Sequence, residues 1–138
     1  MKKFFPFLLT ILLLSCSEQP PLELFSPEAF AFELDNGWEL NASINVKGFV
    51  QEEKNDLFNT NLSYKIDLVT PEQDTLKEFD FGSIVDKNKE ESLDATIEVQ
   101  AEIDSNFSPG NYFLLFYVKD DNSGRDTNSV KTFILEKN

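Results

Sequence analysis

Cys16 is the residue with the most specific chemistry in this sequence, because it is the only cysteine and the chain contains no histidine. Without histidine there is no Ser-His-Asp triad, no imidazole general base, and little prospect of a zinc or copper site. A single cysteine cannot close an intrachain disulfide. The sequence therefore predicts a protein that is not an enzyme and holds no metal or cofactor.

The segment before Cys16 has the three parts of a secretory signal. A positively charged start is followed by an apolar run, Phe4 to Leu14, and then by a small residue, Ser15. The run is shorter than the roughly 20 apolar residues that cross a bilayer. Residues 1–15 are therefore predicted to be a cleaved signal peptide rather than a transmembrane helix.

The run Leu13-Leu14-Ser15-Cys16 resembles the lipobox of bacterial lipoproteins and stands where a lipobox must stand. The resemblance implies cleavage before Cys16 and acylation of its sulfur and its new amino group. Residues 16–24, which contain Pro20-Pro21 and little apolar material, are predicted to be the lipidated cysteine and a short extended tether. Ser17, in place of aspartate, implies the outer membrane of a Gram-negative bacterium. The alternative is an ordinary signal that happens to be cut near a cysteine.

The charge balance limits the possible partners. The chain has 12 basic and 25 acidic residues and a formal net charge of −13. Such a surface repels nucleic acids and anionic lipid headgroups. We therefore expect no nucleic-acid partner; the expected partners are the membrane, through the anchor at Cys16, and an envelope protein or glycan.

Apolar and polar residues alternate in several segments, which is typical of half-buried β-strands. Two segments, Gln51–Asn61 and Ile84–Glu91, are polar and are predicted to be loops, and Gly82 is predicted to end a strand. About seven strands remain, with no convincing helix. Residues 25–138 are therefore predicted to form one all-β domain, an Ig-like antiparallel β-sandwich. The clearest alternating segments are Trp38–Val46, Leu62–Leu68, Leu93–Ile103 and Tyr112–Val118.

The stretch Pro109-Gly110-Asn111-Tyr112 resembles the entry to strand F of immunoglobulin-like and fibronectin III-like domains. There a tyrosine hydroxyl caps a backbone group at a corner, and the resemblance gives that role to Tyr112. Leu114 replaces the cysteine of antibody domains, and Trp38 lies on the second strand rather than the third. The resemblance implies a bacterial Ig-like lipoprotein domain and, by itself, no function.

The other face of the strand at Tyr112 carries Phe113, Leu115 and Tyr117, so both faces of this strand are apolar. One interpretation is a central strand whose outer face is covered by neighbouring side chains. The other is an exposed face that binds a protein or a glycan. The sequence favours a non-enzymatic binding or accessory module. Alternatives are a glycan-binding module, with these residues or Trp38 as the stacking platform, and a carboxylate-based enzyme.

Three polar features complete the candidates. Acidic residues alternate along one strand from Asp94 to Asp104, about 6.5–7 Å apart, which is too far to chelate one ion closely; this stripe is predicted to be a solvated face. Asp120, Asn122 and Asp126 are weak calcium candidates, because the segment lacks the closing glutamate of a calcium loop. Asp74-Thr75-Leu76 resembles an O-glycosylation sequon of exported bacterial proteins, so Thr75 is a possible glycosylation site.

Overall fold

The computed structural model describes residues 19–138. The predicted signal peptide and Cys16 lie outside this range. Residues 19–138 form eight β-strands. This part of the chain contains no helix long and apolar enough to cross a membrane. The strands are β1 (Glu23–Leu34), β2 (Gly37–Lys47), β3 (Glu52–Lys54), β4 (Leu57–Val69), β5 (Thr75–Asn88), β6 (Asp94–Asp104), β7 (Gly110–Asp120) and β8 (Asp126–Leu135).

The strands form two antiparallel sheets, which confirms the predicted all-β sandwich. The smaller sheet has the order β1-β2-β6. In the larger sheet, β5, β4, β7 and β8 are neighbours in that order, and short β3 pairs with the beginning of β4. In an Ig constant-type domain, the strand after C belongs to the sheet of strands A and B. Here the corresponding strand, β5, lies at the edge of the larger sheet.

The core lies between the two sheets and follows the alternation read from the sequence. On β2 every second residue from Trp38 to Val46 is buried, and β7 shows the same pattern from Tyr112 to Val118. Burial of these side chains is the main stabilising contribution, at about 25 cal/mol per Å² of apolar surface. Leu93 departs from the pattern, because β6 begins one residue later and leaves it 89% exposed.

Two predicted loops are wrong. The segment Gln51–Asn61 contains the β3–β4 hairpin, and β5 continues through Gly82 to Asn88 instead of ending there. Gly82 is retained within the strand because the ring of Tyr64 occupies the place of its missing side chain: a Cβ at Gly82 would lie 2.7 Å from the Tyr64 hydroxyl oxygen. This cross-strand packing is invisible to a local reading of the sequence.

The edge strand β1 turns its aromatic residues outward. Phe30 and Phe32 are 49% and 57% exposed and meet edge to face at 5.2 Å, while Ala29 and Ala31 pack against the core. Pro27 lies at an irregularity in the pairing with β2, a position where a strand tolerates the loss of an N–H donor. β1 accordingly lies at the edge of the smaller sheet.

The corner predicted at Tyr112 is present. Its hydroxyl donates a 2.7 Å hydrogen bond to the backbone carbonyl of Ser108, and its ring stacks on Phe133 at 5.5 Å. Burial, reinforced by the negative charge of Glu72, raises the pKa of the Tyr112 phenol. The phenol therefore remains a proton donor. Its hydrogen bond to Ser108 fixes the beginning of β7 and, with it, the direction in which the outward residues of that strand point.

Candidate binding surface

The outer face of the larger sheet carries the three residues predicted as a possible binding face. Phe113, Leu115 and Tyr117 alternate with the buried residues of β7 and are themselves half-buried. The register brings Val69 beside Phe113, and Val130 beside Leu115. Neighbouring side chains thus cover much of Phe113 and Leu115, as the first of the two interpretations expected for a central strand.

An open groove of this face lies around Tyr117. Across the sheet, Phe81 of β5 is paired with Lys65 of β4, and Lys65 is paired with Tyr117 of β7. The ammonium group of Lys65 lies 4.8 Å from the centroid of the Tyr117 ring, and Phe81 is 68% exposed. We call these three residues, Phe81, Lys65 and Tyr117, the aromatic platform.

The aromatic platform borders an open groove of about 580 Å³. Its other side chains include hydroxyl, amide, ammonium and carboxylate groups, so that both donors and acceptors surround the rings. Tyr64 turns its ring to the opposite, core-facing side of β4, where burial, and then the nearby charge of Asp80, raise the pKa of its phenol. The polar residues of the groove are Ser63, Tyr64, Glu78, Lys119, Asp126, Thr127 and Asn128.

A buried carboxylate fixes the β5 segment that leads into the aromatic platform. Asp67 is 5% exposed and accepts a 2.8 Å hydrogen bond from the backbone N–H of Glu78. Glu78 has a positive φ of 53°, within an irregularity of the β4–β5 pairing. Regular pairing resumes at Asp80, so that Phe81 is placed opposite Lys65. Asp67 is thus a positioning residue for the exposed ring.

Trp38 does not belong to any stacking surface. It is 1% exposed, and its indole nitrogen donates a 2.8 Å hydrogen bond to the carbonyl of Glu136. The ammonium group of Lys137 lies 5.8 Å from the ring centroid. The suggestion that Trp38 could stack on a glycan is therefore wrong, because the alternation that buries β2 also buries this ring.

The weak calcium candidates are part of a hydrogen-bonded turn. Asp120 is fully buried and accepts hydrogen bonds from the backbone N–H groups of Val50 and Asn122 and from the Ser123 hydroxyl. The side chain of Asn122 donates to two backbone carbonyls. Asp126 is exposed on the first residue of β8. Within residues 19–138, no group of three or more His, Cys, Asp or Glu side chains is arranged to hold a metal ion.

The remaining candidates lie away from the aromatic platform. The acidic stripe from Asp94 to Asp104 is exposed on the outer face of the smaller sheet. Thr75 is exposed at the start of β5, as glycosylation would require. A cleft of about 1060 Å³ lies beside the β1–β2 turn, and the ionisable side chains that line it are all acidic: Glu33, Asp35, Glu102 and Asp104.

The sequence did not reveal Phe81 and Lys65 as partners of Tyr117. Phe81 belongs to a segment with weak alternation, and Lys65 occupies an ordinary polar position of its strand. Their meeting depends on the register of three strands, and the three residues are 16 or more positions apart in the chain. The only local signal was the aromatic residue beside Gly82, which is too common a pattern to indicate a surface.

The fold and this surface define an antiparallel β-sandwich module whose larger sheet carries an open groove with two aromatic rings. No protein-family model matches the chain, and no curated protein matches it. Among solved structures, the chain is similar to a family 123 glycoside hydrolase from Clostridium perfringens, whose analysis concerned glycolipid glycan hydrolysis. The alignment has a TM-score of 0.50 with 16% identity and covers 78% of this chain and 22% of that chain. This chain thus spans about a fifth of the hydrolase, and the likeness supports the fold alone.

Proposed function

We propose that this protein is a non-enzymatic, lipid-anchored binding module of the bacterial cell envelope, and that it binds glycans on the aromatic platform. The observation that carries the proposal is the placement of two aromatic rings on either side of Lys65, on an open groove. Anchoring at Cys16 and an outer-membrane location complete the proposal and follow from the lipobox resemblance.

The chemistry of the groove suits a sugar ring. One face of a sugar presents C–H groups, which pack against the negative face of an aromatic ring. The edge of a sugar presents hydroxyl groups, which donate to carboxylate and amide oxygens and accept from ammonium and hydroxyl groups. Asn128, Asp126 and Lys119 line the same groove as Tyr117 and provide both kinds of partner.

Two further considerations favour a glycan ligand and a role without catalysis. The similar sandwich occurs in a protein that hydrolyses glycolipid glycans, and a glycan ligand is proposed here by analogy with it in addition to the chemistry of the groove. The chain has no histidine, and a carboxylate mechanism for glycosides needs an acid and a second carboxylate at a set separation on either side of the bond. The two carboxylates that line the groove, Glu78 and Asp126, stand on β5 and β8, whose backbones are three strand spacings or about 14 Å apart, wider than the roughly 5–9.5 Å between the carboxyl groups of a glycosidase.

Substitution of Phe81 tests the proposal with little risk to the fold, because an exposed side chain contributes little to stability. We expect Phe81→Ala to weaken glycan binding by about tenfold, the loss that corresponds to one aromatic contact of about 1.4 kcal/mol. The measurement is calorimetric titration of the full-length protein in detergent with a panel of neutral and N-acetylated oligosaccharides.

Phe32→Ala is the matched control, because Phe32 is a similarly exposed phenylalanine on the other sheet. It should leave the affinity within about twofold of the unmodified protein. If no oligosaccharide of the panel binds, or if Phe32→Ala weakens binding while Phe81→Ala does not, the aromatic platform is not a glycan site.

A further inference from the structure

A polar network at one end of the sandwich holds the described start of the chain. One guanidinium nitrogen of Arg125, Nη1, donates a 2.7 Å hydrogen bond to the carbonyl of Pro20, and the other, Nη2, donates a 2.6 Å hydrogen bond to the carbonyl of Gly48. Arg125 belongs to the β7–β8 turn, whereas Gly48 follows β2 in the other sheet. One side chain therefore joins both sheets to the segment that precedes β1.

Arg125 is itself held in place. Its Nη2 atom lies 3.8 Å from a carboxylate oxygen of Asp120, which is fully buried, and its Nε atom donates to the hydroxyl of Ser123 at 3.1 Å. A guanidinium already held by these two contacts loses little further conformational freedom when it binds the two carbonyls. We call Arg125, Asp120 and Ser123 the tether clamp.

The backbone at Gly48 lies directly against the backbone of the tether. Gly48 has a φ of +80°, and a Cβ there would lie 2.0 Å from the carbonyl oxygen of Pro21. Only glycine allows the two backbones to approach so closely. Leu22 and Leu24, which follow directly, pack against the core. The tether is therefore fixed from Pro20 onward.

The distance to Cys16 is short. Four residues from Cys16 reach Pro20, and a fully extended chain of that length spans at most about 14 Å. The clamped end of the sandwich, formed by the turn after β2 and the β7–β8 turn, therefore cannot lie far from the lipid if Cys16 is acylated. The far end, with the β1–β2 and β6–β7 turns, lies about 36 Å away along the 11 residues of β7.

We infer that the tether clamp stands the sandwich end-on against the membrane, with the β7–β8 turn facing the lipid headgroups and the strands along the membrane normal. The inference rests on the lipid anchor of the proposed function. The aromatic platform then faces sideways, and Tyr117, three residues from the clamped end of β7, lies about 10 Å above that end. The acidic cleft at Glu33 and Glu102 lies at the far end.

Energy transfer to a membrane acceptor tests this orientation. Cys16 is predicted to carry lipid, so a newly introduced cysteine is the only thiol available to a donor dye. Glu90→Cys places the donor in the exposed loop at the clamped end, and Ser105→Cys places it in the exposed turn at the far end. The lipidated full-length protein is reconstituted into phosphatidylcholine vesicles that contain acceptor-labelled lipid.

We expect transfer from position 90 to exceed transfer from position 105 by about threefold or more, since the two ends are about 36 Å apart. Arg125→Ala should reduce this difference, whereas Lys54→Ala, which removes an exposed basic side chain outside the clamp, should preserve it. Circular dichroism of each variant establishes that the fold is intact, and the comparison of positions 90 and 105 does not depend on the Arg125 variant.

The outcomes separate this inference from the anchor on which it rests. Equal transfer from both positions, or stronger transfer from position 105, in a protein that remains on the vesicles overturns the orientation alone. Failure of the protein to associate with vesicles at all overturns the lipid anchor, and the orientation falls with it.

Discussion

Asp120→Ala is expected to lower the free energy of unfolding by about 3–5 kcal/mol, because it leaves three donors of a fully buried carboxylate without an acceptor and removes the partner of the partly exposed Arg125. Asp120 accepts from the N–H of Val50 at 2.9 Å and from the hydroxyl of Ser123 at 2.6 Å, and it lies 3.8 Å from Arg125. A domain of this size has a total stability of about 5–15 kcal/mol. The loss would therefore be a large fraction of the whole.

Chemical denaturation of the full-length protein, followed by the fluorescence of Trp38, measures this loss. Asp121→Ala is the control, because Asp121 is the adjacent aspartate but is exposed, and its carboxylate accepts only a 3.2 Å hydrogen bond from Ser63. We expect this control to change stability by about 0.5 kcal/mol or less. A similar stability for the two variants would mean that the buried network does not stabilise this end of the sandwich.

Cys16→Ala is expected to abolish acylation and, wherever the segment before residue 16 is cleaved, to release the protein from the membrane fraction. Each buried methylene of an acyl chain contributes about 0.8 kcal/mol to membrane binding, so that two or more chains anchor durably, and without them only an uncleaved apolar signal could hold the protein. The measurement is fractionation of cells with intact-mass analysis of the protein. The unmodified protein should carry the added mass of its acyl chains, and the variant should not.

Ser17→Ala is the matched control for this variant, because it changes the next residue and leaves the cysteine in place. It should remain in the membrane fraction with the acyl mass. If Cys16→Ala stays membrane-bound and its mass equals that of the unmodified protein, apart from the substitution, then Cys16 does not carry an anchor.

The parts of the fold that were predictable are those set by local alternation. A strand with one face in the core shows a period of two whatever its partners are, so β2, β6 and β7 were identified from their own residues. The predicted corner at Tyr112 was also local, since its hydroxyl reaches only four residues back to Ser108.

The parts that were missed depend on contacts between distant segments. The continuation of β5 through Gly82 requires the ring of Tyr64, and the outward direction of Phe30 and Phe32 depends on which face of β1 meets the core. Hydrophobicity alone would place phenylalanine in the interior, but on β1 the smaller side chains of Ala29 and Ala31 pack against the core instead. Alternation in the sequence shows that the two faces of a strand differ. It does not show which of the two faces packs against the core.

Only part of the candidate surface could be predicted from the sequence. Tyr117 was identified because both faces of β7 are apolar, but Phe81 joins it only through the order β5-β4-β7 and through the irregularity that Asp67 holds at Glu78. The acidic turn was read as a weak calcium loop because the sequence shows oxygen atoms and not their partners. The structure shows Asp120 bonded to N–H and O–H donors.

The most direct test of the account is a map of the residues that a glycan contacts. The ¹⁵N–¹H spectrum of the protein would be recorded during titration with the oligosaccharide of highest affinity. We predict that the largest shifts occur at the backbone amides of residues 63–65, 81–82 and 117–119, which border the aromatic platform. Shifts concentrated instead at Phe30 and Phe32, or at the acidic cleft beside Glu102, with the platform unchanged, would contradict the proposed site.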